Sequence, residues 1–502
     1  MGLMVTTAVI AEPPIPTWRD AIDLVPADTD VLLVLSDAAS LRVSGAGPTL
    51  QSMLASAMPL TAASDAWSAL ANGVGLSEPD AFDALLGRWS VFVARHDPEN
   101  ATLRWCVASV VTPAVAVRLL GALGAKPAEI KAGRPVAQIE NGRFTVASVL
   151  DRRRAVLLLA PRGSGDLFAN LLARLVGGDI GGTLTDDPTV ARVGAALPGS
   201  ANLYLFFPSE KPPGNDDFDP ATVWTGLAAS AHGLTISMNL AVAPLSVDNP
   251  GSPIDPRAWE QASRGAALAV LEPTTADSLA LGGLLGALEI DPTDLLAPIH
   301  GAIGLFLTEP APGRAALGFA VQTTSTALLA SIGDRVLASV AARISDRRAD
   351  DFRTLDGAFP ASIRRLQAPL AKDARRWLSW MDPDAERLPL VWSYPVVVDA
   401  KAGGAGWWFV TTDKDLHARL SGALAGPPAA HADPEPSPDL YLVARPVAVL
   451  GILRRIGVVG EDTPPILTSL GLIESIAGVG RYSDGVFRGS ATLRLLPPDG
   501  RR

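Results

Sequence analysis

The sequence predicts an α+β fold made of two tandem repeats, each an antiparallel sheet with helices packed on one face, plus helical insertions. Three observations lead there. The order of signals from Pro26 to Pro244 recurs from Gly265 to Pro498. Most strand patterns are joined by short turns, which favours antiparallel pairing. Helical patterns interrupt the strand runs without a strict βαβ alternation.

The elements follow in order. Each half opens on an apolar run, Val31 to Leu35 and Ala267 to Leu271. Ala38 to Ala71 has helical apolar spacing, interrupted at Gly45-Ala-Gly-Pro48. Glu78-Pro79-Asp80 and Ile290-Asp-Pro-Thr293 have the acidic, proline-led look of helix starts. A glycine then introduces a strand, Gly87 to Ala94 and Gly301 to Thr308, followed by a hairpin partner and a helix, Leu103 to Leu123 and Ala316 to Leu337. Asn141-Gly142 is a two-residue hairpin signal. A strand that turns into a helix recurs as Val156 to Leu175 and Trp407 to Leu424. Leu197 to Phe206 matches Ser437 to Val443, and each half closes on a hairpin at Gly233 or Asp484-Gly485. The run Val156 to Leu159 is apolar on both faces, so part of each sheet is expected to be covered on both sides.

These signals divide the chain into a lead-in at 1–24, a first repeat at 25–250 and a second at 262–498. The linker Val247-Asp-Asn-Pro-Gly-Ser-Pro253 lies between them. The second repeat carries a long segment, 326–382, with little counterpart in the first; it is expected to be helical and to lie outside the sheet. It concentrates arginine and tryptophan. Arg364, Arg365, Arg375, Arg376, Trp377 and Trp380 form a candidate interaction surface for an acidic partner or anionic lipid. The interleaved Asp346, Asp350, Asp351 and Asp373 offer these arginines internal partners at helical spacing instead.

Composition narrows the function. A net charge of −10 argues against nucleic acid as a partner. Hydrophobic content is 48%, yet the most uniformly apolar stretch, Trp105 to Val117, is shorter than a spanning helix needs, so no transmembrane span is expected. The one cysteine, Cys106, sits in a strand pattern and reads as a small buried hydrophobe. Gly2 to Ile10 is apolar, and Val9-Ile-Ala11 has the small-x-small form of a cleavage site, though a basic n-region and a longer core are missing; the alternative is a disordered tail.

Catalytic patterns are sparse. His96, His232, His300, His417 and His431 lack metal-ligand spacing and each reads as a loop or solvated histidine. Asp186-Asp187, Asp216 to Asp219, Asp350-Asp351 and Asp382-Pro-Asp384 read as solvated loop acids. Arg162-Gly-Ser-Gly165 stands where a strand feeds a helix, as a phosphate loop would, but lacks the Lys-Ser/Thr ending. Its sister turn, Thr411 to Asp415, has no glycine, so the turn reads as structural. No cofactor and no metal are expected.

Leu24-Val-Pro-Ala-Asp-Thr-Asp30 with its strand, the helix start Ile290 to Leu296 before Gly301, and the closing Asp484-Gly485 hairpin resemble a family of uncharacterised bacterial, presumed exported proteins carrying a domain of unknown function. The resemblance implies a periplasmic or cell-envelope location, the alternative being cytoplasmic. The expected function is a non-enzymatic binding or scaffold protein whose partner is a protein or an apolar small molecule. A carrier of an apolar ligand or lipid between sheet and helices, and a hydrolase with a dispersed site, are the alternatives.

Overall fold

The computed structural model describes residues 17–50, 71–72, 75–97, 102–126, 128–141, 144–150, 154–178, 181–209, 223–244, 255–273, 302–311, 314–323, 352–355, 363–366, 391–393, 406–411, 413–424, 438–455 and 470–497. They are helices and antiparallel strands, an α+β chain. Apart from short segments, two compact units divide after Pro244.

The first unit starts with helix α1 (Trp18–Leu24), whose N-terminus is closed by a capping box between Thr17 and Asp20. Strand β1 (Val31–Leu35) follows, then α2 (Ala38–Val43) and α3 (Glu78–Leu85), which begins at N-cap Ser77 with proline in its first turn. Strands β2 (Ser90–Asp97) and β3 (Thr102–Val111) form a hairpin, and Thr112 caps α4 (Pro113–Leu123). Then come β4 (Glu129–Lys131), β5 (Arg134–Asn141), β6 (Phe144–Leu150) and β7 (Ala155–Pro161). Helices α5 (Gly165–Leu175) and α6 (Pro188–Ala196) precede β8 (Leu203–Ser209), β9 (Val223–His232) and β10 (Thr235–Ala243).

Pairing runs β4-β5-β6-β7-β3-β2-β1-β8-β9-β10. Asn141 itself pairs with Phe144 in the ladder, so it belongs to β5 and is not part of the two-residue loop that Asn141-Gly142 signals. At the β4–β5 turn Ala132 and Gly133 both adopt positive φ, 46° and 78°, the backbone of a tight two-residue turn.

The second unit opens on α7 (Pro256–Ser263) and β11 (Ala266–Pro273), followed by β12 (Ala302–Ala311) and β13 (Arg314–Thr323). Strands β14 (Phe352–Leu355), β15 (Ile363–Leu366), β16 (Val391–Ser393) and β17 (Gly406–Thr411) come next. Helix α8 (Lys414–Leu424), β18 (Leu440–Ala444), α9 (Pro446–Arg455), β19 (Ile473–Ser483) and β20 (Val486–Leu495) complete it. Pairing runs β14-β15-β16-β17-β13-β12-β11-β18-β19-β20, the same order as in the first unit.

Two expectations need correction here. Within 326–382, the described residues Phe352–Leu355 and Ile363–Leu366 are strands, and their ladder continues through β16 to β17. Arginine spacing suits helix and strand alike on so short a segment; the available ladder partner decides it. Helices also cover two faces of the first sheet, as the apolar run Val156 to Leu159 leads one to expect, where the fold class had them on one face. Helix α4 shares a core cluster with Ala137, Val146 and Leu157. Their strand neighbours Gln138 and Thr145 line a hollow beside α5. Adjacent strand residues point to opposite faces, so α4 and α5 lie on opposite sides. The five consecutive buried residues Thr145 to Val149 follow from this double cover.

The leading helix of each unit carries a buried tryptophan. Trp18 packs on Tyr204 and Phe206 of β8, each with ring centroids 5.6 Å apart. Trp259 of α7 stacks on Tyr441 of β18 at 5.3 Å and meets Phe306 at 6.0 Å. The first of these contacts dictates a glycine. A Cβ at Gly194 of α6 would stand 2.5 Å from Cη2 of Trp18, which is 4% exposed and has no room to retreat. Gly194→Ala is therefore expected to lower the unfolding free energy by about 1–3 kcal/mol in urea denaturation, as overpacking does. The cost should shrink in a Trp18→Leu background. Equal penalties in both backgrounds would show that Trp18 is not the obstacle.

Candidate functional site

Helix α5 is the element around which the polar groups of the first unit gather. The turn Arg162-Gly-Ser-Gly165, structural by its sequence, leads into it. The turn is a single 3-10 turn, Arg162–Ser164, and its glycines keep φ negative. Buried Ser164 accepts from the backbone N–H of Trp105 at 3.0 Å, which ties the turn to β3. The helix N-terminus is supplied with its own anion. Asp166 in the first turn accepts from Arg95 and, at 3.3 Å, from Arg104. Arg95 also pairs with Asp28. Burial acts to raise the Asp166 pKa, but the Leu167 N–H and the two guanidinium groups outweigh it, and the carboxyl ends below its usual range. A carboxylate at this end suits the helix dipole. The other end is held from β5, where Arg134 donates to the carbonyl of Leu175 at 2.6 Å.

Between these two clamps α5 leaves part of the sheet uncovered. A hollow of about 400 Å³ runs along it, lined by Gly165, Phe168, Ala169, Leu172, Ala173 and Val176 at helical spacing. The facing wall is polar: Lys131 of β4, Gln138 and Glu140 of β5, and Thr145 of β6. A second hollow of about 490 Å³ shares Lys131, Gln138 and Glu140 and adds Lys126 and Glu129. A third space, about 50 Å³, lies between the sheet and α3 and α4; it is apolar, lined by Leu85, Leu86, Val107, Leu119, Val146, Leu157 and Leu159 with Ser109.

Arg364 and Arg365 stand on β15, opposite Thr354 and Arg353 of β14. Arg375, Arg376, Trp377 and Trp380 lie outside the described residues. Cys106 is fully buried in β3, and burial pushes its thiol up to about 12, as befits a small core residue. Asp187 is not a solvated loop acid: it caps α6 through the N–H of Thr189 at 2.7 Å and accepts from the Trp224 indole at 2.9 Å. His417 is not solvated either. It is 2% exposed on α8, edge-on to Phe409, and burial lowers its pKa. Among the described residues no group of three or more His, Cys, Asp or Glu could hold a metal, and no helix is long and apolar enough to cross a membrane.

Comparison with known proteins adds little. No family model matches the chain, and no curated protein does. Two solved structures of TP0453 are similar over about half of it. Crystal form IV is 11% identical, covering 46% of this chain and 81% of its own, with a TM-score of 0.25. Crystal form I is 12% identical, covering 45% and 80%, with a TM-score of 0.26. Likeness at that level carries no argument about fold or function.

Two pH experiments test the electrostatics. A carboxylate with a lowered pKa stabilises the fold where it is ionised and ceases to as pH falls through the carboxylate range. Asp166→Asn should thus melt earlier than wild type at pH 7, with the gap closing toward pH 3. A gap that persists there would assign the loss to packing. His417 has the opposite chemistry. Below about pH 6.5 the unfolded chain gains a proton that the buried imidazole resists, so wild type loses stability as pH falls. His417→Phe, which copies Phe168 at the same place on α5, should flatten the melting-temperature slope between pH 7 and pH 5.5. An unchanged slope would remove His417 from the account.

Proposed function

We propose that this protein is a non-enzymatic, extracytoplasmic binding or scaffold protein, built from a duplicated α+β unit, with its ligand seated in the groove beside α5. The observation that carries the reading is the groove itself. Its volume of about 400 Å³ falls in the range of ligand sites, and an apolar helical wall faces a few polar groups, the usual composition of a binding pocket. The rigid setting supports it further, since both ends of α5 are fixed by hydrogen bonds. The identical strand-pairing order of the two units supports the duplication, as does the shared pattern Asp166-Leu-x-Ala169 and Asp415-Leu-x-Ala418 at the start of α5 and α8. Export draws its support from the apolar segment Gly2 to Ile10 and the Val9-Ile-Ala11 pattern.

The apolar-carrier reading would draw on the space between the sheet and α3 and α4. At about 50 Å³ that space is several times smaller than a ligand site needs. The open groove is the better seat.

A groove-filling substitution tests the reading. Ala169 is exposed on α5, so Ala169→Trp can fill the hollow without disturbing the core. Wild-type protein isolated from its host should carry a bound species in native mass spectrometry, and the variant should have lost it while melting within about 1 kcal/mol of wild type, as surface changes do. Equal occupancy in both proteins would sink the groove as the site.

A further inference from the structure

We infer that the occupant of this groove is a short extended peptide carrying charges of both signs around an apolar centre. The inference rests on the groove being the binding site and goes on to specify what fills it.

Four features of the groove lead to a peptide. The first is length. From Gly165 to Val176 the helical wall rises roughly 16 Å, at about 1.5 Å per residue. That is the span of about five extended residues at about 3.3 Å each. The second is the wall. Gly165, Phe168, Ala169, Leu172, Ala173 and Val176 make it apolar along its length, so it suits the apolar side chains of a bound chain. The third is charge. Lys131 and Glu140 line both hollows, and neither side chain has an ion-pair partner among the described residues. Two unpaired charges of opposite sign on one rim suit a ligand that carries both signs. The fourth is the neighbouring hollow, which shares Lys131, Gln138 and Glu140 and adds Lys126 and Glu129, so charges of both signs extend beyond the groove itself.

The same features disfavour other occupants. A phosphate-rich ligand would meet Glu129 and Glu140 on a chain whose net charge is already −10. A single acyl chain would leave Lys131, Gln138, Glu140 and Thr145 against apolar surface, with their polar atoms unsatisfied. A peptide supplies backbone donors and acceptors for Gln138 and Thr145, apolar side chains for the helical wall, and charged groups for the rim.

The test is selection from a pentapeptide library randomised at every position. The full chain is equilibrated with the library, washed, and the retained peptides are sequenced by mass spectrometry. Wild type should enrich sequences with apolar central residues flanked by one acidic and one basic residue. Retention should fall at least tenfold in Ala169→Trp. In the double reversal Lys131→Glu with Glu140→Lys, which leaves net charge and surface composition unchanged, the preferred order of acidic and basic residues along the peptide should invert. The inversion is a readout that a merely misfolded protein cannot give. Wild type retaining no more peptide than Ala169→Trp would overturn the inference. If native mass spectrometry still showed a small molecule lost in Ala169→Trp, the groove would stand as a binding site and only the peptide would fall. Enrichment that keeps its charge order in the double reversal would overturn the role of Lys131 and Glu140.

Discussion

The first unit depends on a sheet that has to be covered on both faces. Strand β6 buries five residues in a row, so neither of its faces can meet water. Helix α4 covers one side with Leu119 and Leu120, and α5 covers the other with Leu167, Phe168, Leu171 and Leu172. Apolar packing alone would let α5 slide or rotate over the sheet. Directional bonds at its two ends fix it: Asp166 with the arginines of β2 and β3, and Arg134 with the last carbonyl. Exposed ion pairs contribute little to stability one by one. Their value here is positional, because they set where the cover stops. The groove is the strip of sheet left beyond that limit.

The corresponding helix of the second unit shows which parts of this arrangement are structural. Leu416, Leu420 and Leu424 are buried on α8, as Leu167 and Leu171 are on α5. The helix start is again met by a carboxylate, since Asp413 accepts from the N–H groups of Asp415 and Leu416 at 3.0 and 2.9 Å. What changes is the lining of the groove. Phe168 has its counterpart in His417, and Leu172 in Ser421. The helix and its buried leucines keep their positions while the residues along this one flank differ.

Much of the fold was legible because it is local. The start of α3 at Ser77 and Glu78 and the passage from β7 into α5 both follow from neighbouring residues. The strands at Phe352 and Ile363 were missed because four residues carry too little periodicity to separate strand from helix. Asp187 was read as a loop acid because its partner Trp224 is 37 positions away. The groove was not visible at all: Lys131, Glu140 and Ala169 become neighbours only once the sheet and helix are assembled. One signal could have been found. A tryptophan stands before the opening strand of both halves, Trp18 and Trp259, and a Leu-Tyr-Leu pattern holds its partner, Tyr204 or Tyr441.

That pairing of a leading helix with a late strand has a consequence for biosynthesis. The chain emerges from the ribosome at about 5–20 residues per second, and Trp18 precedes Tyr204 by roughly 190 residues, so α1 is made about ten to forty seconds before its stacking partner exists. The interval recurs between Trp259 and Tyr441. During each wait an apolar helix face with a large aromatic ring has no native surface to cover it, and this is when the nascent chain is most open to capture by chaperones; in the second wait the strand of Tyr204 is already made and offers Trp259 a wrong partner.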